Sequence, residues 1–250
     1  RKGQRKACRP VQPGAKTFRL VPVKPRGGTM KRFEKSSGKN PPALFIPKSS
    51  RLLNCALCGS PGMGGRGLCP DCEQKMPQKP ETRRIPGIGR AEAAFVYEEP
   101  AAALVHRFKY QNGRYLAELF ALFMAGLDDF PKEAVLVPVP LHPKRQKLRG
   151  FSQTVELCKE LSKLTDRRAE CALLTRNRDT PPQTGLPFAQ RRTNLAGAFT
   201  SGGATGLSVI LVDDVITSGA TLQECAKTLK SAGAAAVFAL CACSAEKGAQ

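Results

Sequence analysis

The segment Ser208–Leu222 reads SVILVDDVITSGATL and concentrates more usable chemistry than any other stretch of the chain. The apolar run Leu207–Val212 is expected to be a strand buried on both faces. It leads straight into two carboxylates, Asp213 and Asp214, and then Val215 and Ile216. The small polar run Thr217, Ser218, Gly219, Ala220 and Thr221 follows, and then a helical pattern. Such a strand would deliver its loop to the carboxyl edge of a sheet, where open α/β folds bind ligands. A loop that opens a helix offers free backbone N–H groups and a favourable dipole to a phosphate. Thr217, Ser218 and Thr221 would add hydroxyl donors, and Gly219 would let the backbone come close. The two aspartates would repel that phosphate, so they are expected to accept hydrogen bonds from two adjacent ribose hydroxyls. The implied ligand is a sugar bearing a terminal phosphate and a vicinal diol. An ordinary strand–turn–helix with a polar surface is the plainer alternative, and the order of the three pieces argues against it.

A second strand-to-helix passage lies upstream, Val135–Gln153, VLVPVPLHPKRQKLRGFSQ. Ala134–Val139 is expected to be a strand. A basic loop should follow, carrying His142, Lys144, Arg145, Lys147 and Arg149, with Gly150 and Phe151 leading into a helix. Cations at a strand's carboxyl end can neutralise a pyrophosphate leaving group. On its own such a charge run is more simply a solvated surface. Its place upstream of the diol-and-phosphate segment favours the pyrophosphate role, with His142 a candidate by position.

Cys55-x-x-Cys58 and Cys69-x-x-Cys72 form two knuckles among Gly59, Gly62, Gly64, Gly65 and Gly67. Four thiolates in this spacing suit a tetrahedral structural Zn²⁺ site; an iron–sulfur cluster or a redox dithiol pair is the alternative. So short a segment, with few large apolar residues, would draw its folding free energy from the metal. A closed site of this kind implies no catalysis. Cys158, Cys225, Cys241 and Cys243 lie in apolar patterns and read as core thiols, Cys171 is ambiguous, and His106 reads as structural.

The elements that must position these groups alternate. Ala94–Tyr97 is expected to be a strand, Ala101–Tyr110 and Arg114–Leu127 helices, Ser152–Leu164 a helix, and Glu170–Thr175 a strand. Arg176–Leu195 reads as a long polar loop, Thr221–Ala232 as a helix and Ala235–Cys241 as a strand. Strand–helix–strand repetition predicts an α/β domain with a mostly parallel sheet. The chain has 250 residues, which allows one or two domains. The expected organisation is a disordered basic tail over 1–51, a four-Cys zinc ribbon over 52–76, a linker over 77–90 and the α/β domain over 91–245. The formal net charge is +20, but residues 1–54 hold 15 Lys/Arg against Glu34 alone. The basic excess therefore belongs to the tail, as an arm for nucleic acid or, up to Met30, as an extension without function. No apolar run is long enough to cross a bilayer and no apolar segment follows the basic start, so a cytoplasmic location is expected.

The Ser208–Leu222 segment resembles the signature of type I phosphoribosyltransferases, which bind 5-phosphoribosyl-1-pyrophosphate (PRPP). RGFSQ after VPVPLHPKR narrows the resemblance to the late competence protein ComF family, whose pattern is closer to RGFNQ. Ser152 replaces the usual Asn, and Lys147 stands where an Arg is often found. Phe108–Tyr110 and Gly113 are similar to the family as well. So is QTGLPFAQRRTNLAGAF, through Gln183, Thr184, Leu186, Arg191, Arg192, Asn194 and Phe199. The resemblance implies a type I phosphoribosyltransferase-like fold, a Rossmann-like parallel sheet with flanking helices, behind a four-cysteine zinc module. It implies that PRPP binds with Mg²⁺: the 5-phosphate on Thr217–Thr221, the diol and the Mg²⁺ on Asp213 and Asp214, and the pyrophosphate facing Arg149 and Lys144 or Arg145. The segment holding Gln183, Thr184, Arg191, Arg192 and Asn194 would close over the site. Two functions are open: transfer of the phosphoribosyl group to an acceptor the sequence does not name, or handling of incoming single-stranded DNA beside the uptake proteins, with PRPP regulatory or vestigial.

Overall fold

The structure is a computed structural model that describes residues 54–61, 66–77, 80, 82–179 and 195–245. The expected tail, and the expected closing segment with Gln183, Thr184, Arg191, Arg192 and Asn194, lie outside the described residues.

Four strands make the main sheet: β1 (Ala91–Val96), β2 (Val135–Pro138), β5 (Ser208–Ile216) and β6 (Ala236–Ser244), in the order β1-β6-β5-β2. Every neighbouring pair is parallel, as the alternating pattern predicts. Alternate residues of each strand feed opposite faces. On one face Leu136, Ile210, Val212, Leu240 and Ala242 pack under helices α2 (Ala101–Tyr110), α3 (Leu116–Ala125) and α5 (Gln153–Thr165). On the other, Val135, Val137, Val209, Leu211, Val237 and Ala239 pack under the last helix, α6 (Ala220–Ser231). A small antiparallel pair, β3 (Leu174–Arg176) with β4 (Phe199–Ser201), joins that second layer through Leu174 and Phe199.

Several expectations need correction. The strand expected over Glu170–Thr175 divides: Ala169 makes one parallel bridge to Leu136, and the chain turns before β3 pairs with β4. The basic loop after β2 is a short helix, α4 (Pro143–Arg149), with Pro143 at its first turn, the His142 side chain as N-cap and Gly150 left-handed at φ 77° beyond its end. β5 does not stop at Val212 but runs through both aspartates to Ile216.

Part of the segment expected as a linker, 77–90, is also packed. Ile85 and Ile88 are buried in the α6 layer. The four-cysteine segment, with helix α1 (Pro70–Gln74), shares the other layer: Cys55, Ala56, Leu68, Cys72 and Met76 belong to the apolar cluster of α2 and α3. Leu68 is completely buried. Arg66 stacks its guanidinium 5.3 Å from the Phe123 ring, and the Arg107 side chain donates to the Ala56 carbonyl.

Candidate functional site

The step that creates the site is in the register of the sheet. β2 ends at Pro138, paired with Val212, while β5 continues along β6, pairing Asp213 with Cys241 and Val215 with Cys243. The Val139 amide still bonds to the Val212 carbonyl at 2.9 Å. Beyond that point β5 has no strand on its β2 side among the described residues. The chain leaving β2 rises into α4 instead, and a cavity of about 490 Å³ opens between them.

Asp213 and Asp214 line this cavity together with Thr217 and Thr221 of the following loop. Of the loop amides, Ala220 N–H bonds to Ser218 Oγ at 3.3 Å. Those of Thr217, Ser218, Gly219 and Thr221 have no partner among the described residues. Gly219 is left-handed at φ 78° and caps α6, and a Cβ there would meet Ile85 at 3.1 Å. The conformation strains any larger residue there, and Ile85 would have to give way to its Cβ. Arg83 fastens the same loop from below, donating to the carbonyls of Thr217 at 3.1 Å and Ala245 at 2.9 Å.

Arg145 and Arg149 of α4 line the opposite wall. Arg149 donates to Gln153 Oε1 at 3.0 Å and to the Tyr110 hydroxyl at 3.4 Å, with its guanidinium 5.3 Å from the Tyr110 ring. His142 and Lys144 are not on the wall. The His142 imidazole accepts the Lys144 amide at 3.4 Å and lies 3.3 Å from Asp179, which also takes the Lys144 ammonium at 3.0 Å. Gly150 ends α4 and does not face the cavity. Ser152 accepts the Val155 amide at 3.5 Å as the N-cap of α5, a position that Asn fills equally well.

Sequence reasoning gave no role to three further wall residues, Lys109, Tyr110 and Arg176. Lys109 Nζ lies 3.0 Å from Asp214 Oδ2. Its residue is one of the FKY tripeptide, but a lysine in a helical pattern reads as solvated surface. Arg176 closes β3 just before the long polar segment, and its guanidinium stands 5.5 Å from the Phe199 ring. Burial and the neighbouring charge of Arg145 lower its pKa. Two guanidiniums that disfavour one another in one cavity suit an anion between them.

Burial pushes Asp213 up to about 7, and the negative charge of Asp214 adds to that. Asp213 Oδ1 accepts the Asp214 amide at 2.8 Å. Burial alone would lower the Lys109 ammonium, but the charge and hydrogen bond of Asp214 outweigh it and hold Lys109 above its ordinary value. Behind the pair, the Cys225 and Cys241 thiols are completely buried core groups, as expected, and burial pushes both up.

The four cysteines form a separate cluster. The sulfurs of Cys55, Cys58, Cys69 and Cys72 lie within 4.8 Å of one another. Cys58 is held at about 6, chiefly by the Ser60 hydroxyl, with Sγ 3.2 Å from Oγ. Cys72 is pushed up to about 12, first by its contact with Cys69. All four become thiolates together only against a cation, and four soft donors at this spacing can hold zinc.

No protein-family model matches the chain. It is 33% identical over 190 residues to Competence protein F of Haemophilus influenzae, covering 72% of this chain and 79% of that protein. It is 30% identical over 205 residues to DNA utilization protein YhgH of Escherichia coli, covering 76% and 89%. It is also 30% identical over 203 residues to Competence protein ComFC of Streptococcus pneumoniae, covering 77% and 88%. Among solved structures it is similar to the glutamine PRPP amidotransferase from B. subtilis complexed with ADP and GMP, at TM-score 0.38 and 18% identity over 54% of this chain and 30% of that one. By its extended identity to these competence and DNA-utilization proteins, the chain belongs to the ComF family.

Proposed function

We propose that the cavity binds PRPP and that the protein transfers its phosphoribosyl group in the context of DNA uptake. The observation that carries this reading is that one cavity brings together an acid pair, a hydroxyl-lined helix-opening loop and, opposite them, two arginines on α4. In it, Asp213 and Asp214 accept the ribose hydroxyls. The amides of Thr217, Ser218, Gly219 and Thr221, with the hydroxyls of Thr217 and Thr221, hold the 5-phosphate. Arg145, Arg149 and Arg176 face the pyrophosphate. As the bond from C1 to the pyrophosphate oxygen breaks, charge grows on the leaving group and these cations stabilise it. Mg²⁺ would enter with PRPP and share with the arginines in neutralising its pyrophosphate. The four-cysteine cluster is a structural zinc centre and takes no part in the transfer chemistry.

The names of the relatives support a second reading, in which the protein handles single-stranded DNA and PRPP regulates it. A pyrophosphate-release assay separates the two. The full chain is incubated with PRPP and Mg²⁺ across a panel of nucleobases and amines. Acceptor-dependent release supports transfer. PRPP binding without release for any acceptor overturns transfer and leaves the regulatory reading.

A further inference from the structure

The acid pair already has a cation. Lys109 Nζ stands 3.0 Å from Asp214 Oδ2, with only 19% of the lysine side chain and 13% of the aspartate exposed. One oxygen of Asp213 is also engaged, by the Asp214 amide. The last turn of α2 holds the lysine in place residue by residue. Arg107 is fastened to the Ala56 carbonyl in the first cysteine knuckle. Phe108 is completely buried against Phe120 and Phe151, and its carbonyl receives Gln153 Nε2 at 3.5 Å. Tyr110 receives Arg149 on its hydroxyl. Gly113 seals the turn, since a Cβ there would meet the Arg107 carbonyl at 2.5 Å.

A divalent ion binds carboxylate oxygens directly, and an ammonium already resting on one of them competes for it. Here an incoming Mg²⁺ would have to displace Lys109 from Asp214, in a cavity whose opposite wall bears Arg145 and Arg149. We propose that Lys109 is the acid pair's own counter-cation: it orients Asp214 for the ribose hydroxyls and makes binding of the sugar monophosphate independent of a divalent ion. Lys109 is thus a positioning residue. The proposal rests on the reading of the cavity given above and adds to it the part that metal does not play.

Ribose 5-phosphate is the probe, because it carries the diol and the phosphate monoester without a chelating pyrophosphate. It is titrated into the full chain with and without Mg²⁺, for the wild type, Lys109→Arg and Lys109→Met, with PRPP in parallel. The wild type and Lys109→Arg should change affinity less than about threefold on adding Mg²⁺, well under 1.4 kcal/mol per tenfold. Lys109→Met should bind about tenfold more weakly without Mg²⁺ and recover part of that loss with it. Wild-type protein that binds ribose 5-phosphate only with Mg²⁺, while still binding PRPP, overturns this inference and leaves the cavity reading intact. Wild-type protein that binds neither compound overturns both. Lys109→Met indistinguishable from wild type in both conditions also overturns it. Should Lys109→Met not fold, the wild-type arm still decides.

Discussion

The cysteine cluster and the aspartate pair are both crowded sets of acidic groups, and they differ in what stands beside them. The four sulfurs lie within 4.8 Å of one another at one edge of the α2–α3 layer, and their neighbours are mostly apolar. The two aspartates lie among Lys109, Arg145, Arg149 and Arg176. Crowded thiols that no cation pairs among the described residues call for an ion from outside. Crowded carboxylates with a built-in ammonium do not, and the cationic excess around them calls for an anion. The last turn of α2 touches both regions, through Arg107 on one side and Lys109 on the other.

The sharpest way to break this contrast is to remove a sulfur. Cys72→Ser should abolish stoichiometric zinc and destabilise the fold by about 4 kcal/mol or more, because the cluster shares the apolar layer of α2 and α3. Zinc analysis and a denaturant melt check this; unchanged zinc content would contradict the metal assignment. On the other side, Arg149→Ala should weaken PRPP by about 1.5–3 kcal/mol, the range for hydrogen bonds to charged groups. Ribose 5-phosphate should lose much less. Equal losses for the two ligands, measured by calorimetry, would move Arg149 away from the pyrophosphate.

A smaller effect follows from Asp213, whose carboxyl rises from 3.8 to about 7 on folding. A group raised in the folded state contributes stability below its unfolded value, and that contribution is lost as pH climbs through about 7. Ribose hydroxyls donate to the ionised form, so ribose 5-phosphate should bind several-fold more tightly at pH 8 than at pH 6 while the protein itself becomes less stable. Asp213→Asn should remove the stability trend and reduce the binding trend to the part that belongs to the ligand's own phosphate. A wild-type melt whose stability rises over that window would contradict the shift. The smallest effect is at Ser152: Ser152→Asn should change stability by no more than about 0.5 kcal/mol, since both residues cap a helix.

Much of this arrangement was legible in the residue order. The apolar run into Asp213 gave the central strand, and the α2 boundaries, Ala101 and Tyr110, match the observed helix. The cysteine spacing gave the cluster. What stayed hidden depends on contacts between distant segments. α4 had local signals, Pro143 at its start and Gly150 at its end, but its many cations and lack of any buried face read as loop. β5 extends past the aspartates because β6 continues beside it, which no local pattern reveals. Lys109 and Arg176 face the cavity only because α2 and β3 are brought to one sheet edge. Residues 77–90 read as a linker from Pro and Gly content, yet Arg83 and Ile85 hold up the loop that opens α6.

Calorimetric titration of PRPP into the full chain, wild type against the Asp213→Asn/Asp214→Asn double variant, tests the central claim most directly. Saturable binding by the wild type is expected, with a loss of at least about tenfold, 1.4 kcal/mol, in the variant. No heat from the wild type, or equal affinity in the two proteins, would contradict it.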